Sequence, residues 1–583
     1  MIYRFLMFFL RLSNLKCLIF LRGLCILIIF PIDSSYASSS TEKRDTCYVQ
    51  TDSIDSLCLS MVQGELVDTA GQYDGDHLVN ENSEIGVKTG ICINSDIAEH
   101  YDTQFSQLSS LTDLKVYMND DSLKFVPGPK KNIWMAAGAG VWINTSVWAV
   151  DKWILKRDYS SKDWSTIKDN WEKGFVWDTD GFYTNFFAHP YHGALYYNAA
   201  KGYGCNFLES SLLTFLGSME WEMIAESDYP SPNDVFSTTF GGMAVGEVTH
   251  RISNLILNNK RPGFNRVMRE LLFTAVNPAG GLVRLSKGDM WKVDDSVFLY
   301  HDKSEIPFDC FLSVGGRWYD SRVGQSHLNA FVALDAKYGD LCGTVHNKPY
   351  DFFRAQFVFN IPSGEVPLLS KCLINGRLFG WNLRDADNYA STLSINQDFS
   401  FYSSDKSNRF KGDKRHLLNL SDAAALGPAF SLEVPHFSHT VTTNLVMMGG
   451  YTSDYYYRGY NMGSGFNLKT WNELNVLSDR LKIRLDASMH YLFTWKGYEE
   501  DQKRILESQG KPVDFNPFVG RKAGEKSYAV FLIFNPRIDM KLCENLFFTA
   551  ELDWAFRNSV YKYQNNVKAR YSDFRLSLSY RLQ

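Results

Sequence analysis

The most constraining feature of the chain is an alternation of apolar and polar residues that recurs from about residue 310 to the C-terminus. In Leu546–Arg557, one face carries Leu, Phe, Ala, Leu, Trp and Phe, and the other includes Glu551, Asp553 and Arg557. A period of two is that of a β-strand, whose successive side chains point to opposite faces of a sheet. Twelve such segments, each of roughly 9–14 residues, begin near residues 310, 328, 351, 371, 390, 424, 440, 460, 481, 527, 546 and 569.

Two β-architectures alternate in this way, a soluble sandwich and a membrane barrel. Sandwich strands average about 5–6 residues, whereas strands that cross a membrane need about 9–11. The length of the segments, their even number and an aromatic content of 15% favour the barrel. Closure pairs every backbone group within the sheet, as lipid requires, and the charged faces would line the lumen. We therefore expect an α+β protein whose residues 291–583 form a transmembrane antiparallel β-barrel of about 12 strands.

The N-terminus has the pattern of an export signal. Four basic residues precede the apolar run Gly23–Ile32, and the small residues Ser35 and Ala37 follow it. We expect residues 1–37 to be a signal peptide, with an uncleaved anchor as the alternative, and the protein to lie in the outer membrane of a Gram-negative bacterium. No later segment holds about 18 uncharged apolar residues, so no membrane-spanning helix is expected.

The segment after the signal is acidic. Residues 38–125 contain 16 Asp and Glu against 5 Lys and Arg, with weak hydrophobic periodicity. We expect residues 38–131 to be a poorly ordered exported segment. Export permits disulfides, and Cys47–Cys58 is the simplest pair, although the wide cysteine spacing leaves the connectivity undetermined.

Residues 132–290 have a helical period instead and are rich in tryptophan. The expected helices are Ser165–Lys173, Gly193–Lys201, Phe207–Ala225, Asn233–Leu257 and Phe264–Val276. Small residues that let another backbone approach closely are Gly241, Gly242, Ala244 and Gly246. We expect a helical domain that plugs the barrel lumen or abuts the barrel at its periplasmic mouth.

An ordered string of motifs runs through residues 175–251. Its members are Phe175–Asp180, His189–Gly193, Tyr196–Asn198, Trp221–Glu222, Glu226, Pro230–Asp234 and Gly246–Glu247. Over roughly residues 132–290, this string resembles an uncharacterised bacterial family, domain of unknown function 3943. The resemblance implies an exported protein that continues into β-rich sequence, and it implies no activity, substrate or cofactor.

Six residues of this string are the candidate catalytic residues: His189, His192, Glu222, Glu226, Asp234 and Glu247. Glu222 and Glu226 are four apart, so on a helix they share a face and repel each other unless a cation, a proton or a basic partner lies between them. Ionisable groups at membrane depth are costly, and for that reason they point to function.

The chemistry of this cluster is open to more than one interpretation. His and carboxylate side chains suit zinc or a harder metal ion, which would activate water or polarise an ester or phosphoryl oxygen, although the chain has no His-Glu-x-x-His motif. Alternatively, the carboxylates belong to a buried polar network that locks the helices against the barrel wall. A simpler role for Asn233 or Asp234 is to cap the next helix.

Two functional hypotheses follow. The first is a plugged or gated pore or an envelope scaffold, and the second is a membrane-embedded lipid hydrolase or transferase that uses the His/Glu cluster. The expected partners are outer-membrane lipid and the barrel-assembly machinery, and a net charge of −5 argues against nucleic acid. Sequence alone leaves the cofactor, any bound metal and the oligomeric state undetermined.

Overall fold

The structure is a computed structural model, and the helices and the barrel belong to one compact unit, Cys47–Arg581. The described residues are 49–50, 114–119, 122–127, 131–156, 160, 164–175, 177, 180–225, 229–257, 262–293, 297–298, 307–319, 327–342, 348–361, 367–386, 388–404, 418–455, 459–477, 480–495 and 525–582. The predicted signal peptide, most of the acidic segment and the Cys47–Cys58 pair lie outside these residues.

Four short strands form a small sheet in the order β1-β3-β2-β4. They are β1 (Val49–Gln50), β2 (Leu114–Asn119), β3 (Ser122–Pro127) and β4 (Val297–Phe298). The last of these strands follows the helical region along the chain and pairs with β2, so the sheet joins the segments on both sides of the helices.

The helical region contains eight described α-helices, several of which run into π-helical turns. The helices are α1 (Ile133–Ala149), α2 (Trp164–Lys173), α3 (His189–Gly202), α4 (Phe207–Glu220), α5 (Pro232–Phe236), α6 (Gly242–Ile256), α7 (Phe264–Val276) and α8 (Pro278–Ser286). The π-helical turns are Val150–Leu155, Thr184–Ala188, Trp221–Ala225 and Ser237–Gly241. The helices predicted from the 3.6-residue period are all present, whereas α1 and α8 were not predicted.

Helix α3 is the centre of this region, and α6 crosses it at very short range. A Cβ atom on Gly242 of α6 would lie 2.6 Å from the Gly193 backbone of α3, so only glycine permits this approach. One turn further, a Cβ on Gly246 would lie 2.7 Å from the Tyr197 ring. The predicted close approach along the small residues is therefore confirmed.

Twelve antiparallel strands form a closed barrel. They are β5 (Phe308–Tyr319), β6 (His327–Tyr338), β7 (Phe353–Asn360), β8 (Leu369–Ala386), β9 (Tyr389–Ser403), β10 (Asn419–Val434), β11 (Phe437–Thr452), β12 (Tyr460–Val476), β13 (Leu481–Phe493), β14 (Ser527–Cys543), β15 (Leu546–Tyr561) and β16 (Val567–Leu582). The predicted strand count is confirmed, and each strand begins within five residues of its predicted start. The period of two predicted them well because lumen and exterior demand opposite side-chain chemistry on every strand.

The two ends of the barrel differ in their connections. We call the end at which β5 begins and β16 ends the near mouth, and the opposite end the far mouth. At the near mouth, four of the hairpins close in two to four residues, after β8, β10, β12 and β14. The far-mouth connections are longer, and the one after β13 spans residues 494–526.

The helical region lies against the outer wall of the barrel and not in its lumen. On β9, Asp398 forms an ion pair with Lys469 of β12, with two strands between them, so Asp398 points into the lumen. Its neighbours Phe399 and Phe401 therefore point outward, and both are completely buried. The ring of Phe401 stacks on Phe182, which precedes α3, at 5.5 Å. The helices therefore abut the barrel, as one of the two predictions had it, but they do so along its wall and not only at a mouth as that prediction stated.

Candidate functional site

Five of the six predicted site residues are described, and the elements around α3 position them. His189 and His192 begin α3, Glu222 lies in the π-helical turn after α4, Asp234 lies in α5 and Glu247 lies in α6. Glu226 lies outside the described residues, so its predicted pairing with Glu222 has no structural description. The three described carboxylates are buried at the helix contacts.

A first hydrogen-bonded chain joins α3, α5 and the turn after α4. His189 Nε2 lies 3.3 Å from Asp234 Oδ1, and Asn233 Nδ2 donates to the same oxygen at 2.9 Å. Ser231 Oγ donates to Asn233 Oδ1 at 2.5 Å, and the Ser231 backbone N–H donates to Glu222 Oε2 at 2.8 Å. Asn233 and Asp234 therefore connect side chains inside the domain, and Ser231 occupies the position that caps α5.

A second chain runs from α3 to α1 and α4. His192 Nε2 lies 3.0 Å from the hydroxyl of Tyr196, and this hydroxyl donates to Asn144 Oδ1. Asn144 Nδ2 in turn donates to the Gly217 carbonyl at 3.0 Å. The ring of His192 also meets the Trp221 ring edge-on, with centroids 4.9 Å apart. Through Tyr196 and Asn144, this chain connects α3 with α1 and α4.

Glu247 is the centre of a third network at the other end of α3. Its Oε2 accepts a 2.6 Å hydrogen bond from Tyr197, and its Oε1 accepts a 2.8 Å bond from Arg251 Nε. Lys201 Nζ lies 3.5 Å from Oε2, so two cations compensate one buried carboxylate. Arg251 also donates to the carbonyl of Pro349, in a barrel connection, at 2.8 Å. The network therefore ties the helices to the barrel.

The five described site residues are distributed over these three networks. Among the described residues no group of three or more His, Cys, Asp or Glu could hold a metal ion. The arrangement satisfies buried charge and fixes the crossing of α3 with its neighbours, as the buried-network interpretation requires. A catalytic role of His189, His192, Glu222, Asp234 and Glu247 stays a hypothesis.

Arg251 and Asn144 belong to these networks, and sequence reasoning did not select them. Arg251 follows Glu247 by four residues, a spacing that places an acid and a base on one helix face and could have identified the pair. Asn144 is a buried amide in a helix that is apolar apart from Asn144, Thr145 and Ser146, and this short polar interruption is the signal that could have identified it. The partners of Arg251 in the barrel carry no comparable local pattern.

The expectation that the chain has no helix able to cross a membrane was wrong. The described residues contain one segment, Ile133–Leu155, that is long and apolar enough by length and composition. Its hydroxyl groups are satisfied within the helix, since Thr145 and Ser146 donate to the carbonyls of Val141 and Trp142 at 2.8 Å. The polar residues of this segment therefore do not interrupt an apolar helix.

Together, the strand order, the apolar exterior and the charged lumen define a β-barrel fold of the outer-membrane type with a helical domain at its outer wall. Residues 174–279 match the family described as Domain of unknown function (DUF3943), which confirms the predicted resemblance over that part of the helical region. No curated protein matches the chain.

Solved structures similar to part of this chain include a porin and an outer-membrane channel. The NanC porin is 9% identical over 46% of this chain and 100% of its own, with a TM-score of 0.22. The channel DcaP of Acinetobacter baumannii is 10% identical over 48% and 97%, with a TM-score of 0.19. OprD of Pseudomonas aeruginosa is 11% identical over 48% and 95%, with a TM-score of 0.21. Similarity at this level carries no functional argument, and the barrel fold rests on the strand pairing itself.

Proposed function

We propose that this protein is a sealed outer-membrane barrel that serves as an envelope scaffold for its lateral helical domain. The observation that carries the proposal is the filling of the lumen by side chains of the strands. The short hairpins at the near mouth favour a periplasmic position for that end, since periplasmic turns are short in such barrels. Partners of a protein in this position would be outer-membrane lipid and the barrel-assembly machinery.

The first part of the filling is an apolar layer. One contiguous cluster of buried side chains draws members from β9, β10, β11, β13, β14, β15 and β16, with Tyr319 of β5 and Leu373 of β8 packed against it. Tyr451, Leu492 and Phe531 in this cluster have no solvent exposure. Because its members come from nine of the twelve strands, the cluster extends across the cross-section of the lumen.

The second part is a set of buried ion pairs that join strands across the lumen. Arg575 of β16 contacts Glu551, Asp553 and Asp573 at 2.6–2.8 Å. Lys371 of β8 lies 2.9 Å from Asp553 of β15, on the other side of the barrel. Removing one partner of a buried pair costs about 3–5 kcal/mol, so an opening that separates several pairs would be strongly unfavourable.

A small cavity remains on the near-mouth side. Its volume is about 70 Å³, which holds on the order of five water molecules. The charged residues that line it include Asp309, Lys337, Glu473, Lys482 and Arg484. We infer that this pocket does not continue as an aqueous path through the described residues, because buried layers of side chains lie beside it.

Conductance in planar bilayers tests the sealed barrel. We expect the purified wild-type protein to insert without steady current steps under conditions in which an open porin conducts. The double variant Phe531→Gly/Arg575→Gly thins both layers and should conduct more than wild type. Leu532→Gly, on the outward face of the same strand β14, is the matched control and should stay silent. Regular current steps from the wild type would refute the proposal.

The second candidate is the lipid hydrolase or transferase. The contact between His189 and Asp234 favours it, because a carboxylate that orients an imidazole is a common arrangement for proton transfer. Comparison of outer-membrane lipids between wild type and His189→Ala tests it at matched protein levels. Unchanged lipid profiles would remove this candidate, whereas a lost lipid modification would favour it over the scaffold.

A further inference from the structure

The helical domain contacts the barrel at both of its mouths. At the far mouth, Asn185 Nδ2 donates a 2.8 Å hydrogen bond to the hydroxyl of Tyr460, the first residue of β12. At the near mouth, Arg251 Nη1 lies 3.4 Å from the hydroxyl of Tyr338, the last residue of β6. A bilayer that surrounds the barrel would therefore meet the helical domain along this sector of the wall.

Helix α1 lies on the side of the domain that faces away from the barrel and runs between the two mouths. It packs on α3 and α4. The Asn132 N–H, before α1, donates to the Tyr203 carbonyl, after α3, and Asn144 meets Tyr196 further along. Helix α1 is thus antiparallel to α3, which begins next to the far-mouth contact and ends beside the network of Arg251.

The outward face of this helix is apolar, and its large side chains are more exposed than is usual on a protein surface in water. Its exposed large side chains are Ile133, Trp134, Met135, Val141, Trp142, Val150, Trp153, Ile154 and Leu155. Exposed apolar residues on the neighbouring α4 are Leu208, Leu212, Phe215 and Leu216. Contiguous apolar patches larger than a few hundred Å² are rare on soluble monomers and mark contact with a membrane or a partner.

The dimensions and the ends of the segment match a bilayer. The 23 residues Ile133–Leu155 would extend about 34 Å as a helix, against a hydrocarbon core of about 30 Å. Trp134 and Trp153 lie near its two ends, at a spacing of about 28 Å, where aromatic side chains prefer the membrane interface. The first charged residues, Asp151 and Lys152, occur only near its C-terminal end.

The exposed apolar surface of α1 continues on the outer wall of the barrel. Outward side chains of the strands that border the helical domain are apolar and exposed, and they include Leu393, Leu426, Leu445 and Phe466. We propose that the helical domain is embedded in the bilayer beside the barrel, that Ile133–Leu155 crosses it, and that the exposed face of α1 contacts lipid acyl chains. This inference does not depend on whether the lumen conducts.

Depth-dependent quenching of tryptophan fluorescence tests the proposal on the full-length protein. The protein is reconstituted in phosphatidylcholine vesicles that carry bromine either near the head group or at mid-chain. We expect Trp142→Phe to remove a component that mid-chain bromine quenches most strongly. Trp134→Phe and Trp153→Phe should each remove a component that bromine near the head group quenches most strongly.

Trp221→Phe is the matched control, because Trp221 belongs to the same domain and is 6% exposed. Its removal should leave the quenched component unchanged. If Trp142→Phe also leaves that component unchanged, water or a second copy of the chain covers α1, and the proposal is wrong. Equal, shallow quenching of all three tryptophans would place α1 along the membrane surface and would overturn the crossing. Near-ultraviolet circular dichroism confirms that each variant keeps the wild-type packing.

Discussion

The amide of Asn185 and the hydroxyl of Tyr460 form a 2.8 Å hydrogen bond between residues 275 positions apart in the chain. Both side chains are completely buried, and Tyr460 also donates to the Asp180 carbonyl at 2.6 Å. This contact joins the π-helical turn before α3 to the first residue of a barrel strand. The helices are consequently part of the wall structure, with specific polar contacts as well as apolar packing.

Arg251 is the second connection, and its removal should weaken the attachment of the helices. In Arg251→Ala, Glu247 keeps Lys201 and Tyr197, whereas the contacts to Tyr338 and Pro349 are lost. Breaking a buried ion pair costs about 3–5 kcal/mol of unfolding free energy. Because Lys201 still compensates the charge of Glu247, we expect a loss near the lower value. Urea unfolding followed by tryptophan fluorescence measures this difference.

The control for Arg251→Ala is Lys168→Ala in α2. Lys168 forms an ion pair with Glu172 at the same spacing of four residues, but both side chains are more than half exposed. Exposed pairs of this kind contribute about 0.3–0.5 kcal/mol, so the midpoint of urea unfolding should barely change. Equal losses in the two variants would show that burial of the Arg251 pair has no energetic consequence.

The contact between α3 and α6 predicts opposite effects for two glycine substitutions. In Gly242→Ala, the new methyl group would meet the Gly193 backbone at 2.6 Å, so the helices must separate. Overpacking of this kind costs about 1–3 kcal/mol. In Gly138→Ala, on α1, nothing lies within 4 Å of the new methyl group. Helix propensity should then stabilise the protein by up to about 1 kcal/mol. Thermal unfolding in detergent compares the two directly, and a stabilised Gly242→Ala would contradict the close crossing.

Arg575 should be the most sensitive position of the barrel interior. Its guanidinium contacts three carboxylates and is only 1% exposed, so Arg575→Met removes one cation from three buried carboxylates at once. Those carboxylates keep their ion pairs with Arg317, Lys371 and Arg537. We expect a loss of about 3–5 kcal/mol, seen as a lower temperature for the shift between folded and unfolded bands in gel electrophoresis. The exposed Lys568 on the same strand gives the control, Lys568→Ala. A wild-type transition temperature for Arg575→Met would argue against the ion-pair layer.

The sequence predicts the barrel well because every strand separates two environments. In β14, for example, Arg537 and Asp539 face the lumen, whereas Leu532 and Phe534 are exposed on the outside, so each strand repeats the pattern. The helices α3, α4 and α6 are predicted equally well, from the 3.6-residue period of their apolar residues. Helix α1 was missed because Asn144, Thr145 and Ser146 look like an interruption, and only their contacts show that a helix accommodates them.

The placement of the helical domain could not be predicted in the same way. Phe399 and Phe401 contact helices, and Leu393 on the same strand is exposed on the outside, but all three are outward apolar residues. Lipid and a packed helix select the same side chains, so alternation reveals an outward face without revealing what covers it. Likewise, the spacing of His189 and Asp234 contains no information that the chain brings them to 3.3 Å.

A substitution of Asp234 distinguishes a structural role of this residue from a catalytic one. Asp234→Asn keeps the shape of the side chain and an oxygen that can accept from Asn233, but it removes the charge next to His189. If the residue only connects helices, the variant should keep its lipid phenotype and lose about 0.5–1.5 kcal/mol, the usual contribution of one hydrogen bond. If His189 needs the carboxylate for proton transfer, a lipid modification should be lost while the unfolding midpoint changes little. Parallel measurement of the lipid profile and the unfolding curve distinguishes the two, and Asn233→Ala provides a variant in which stability alone should fall.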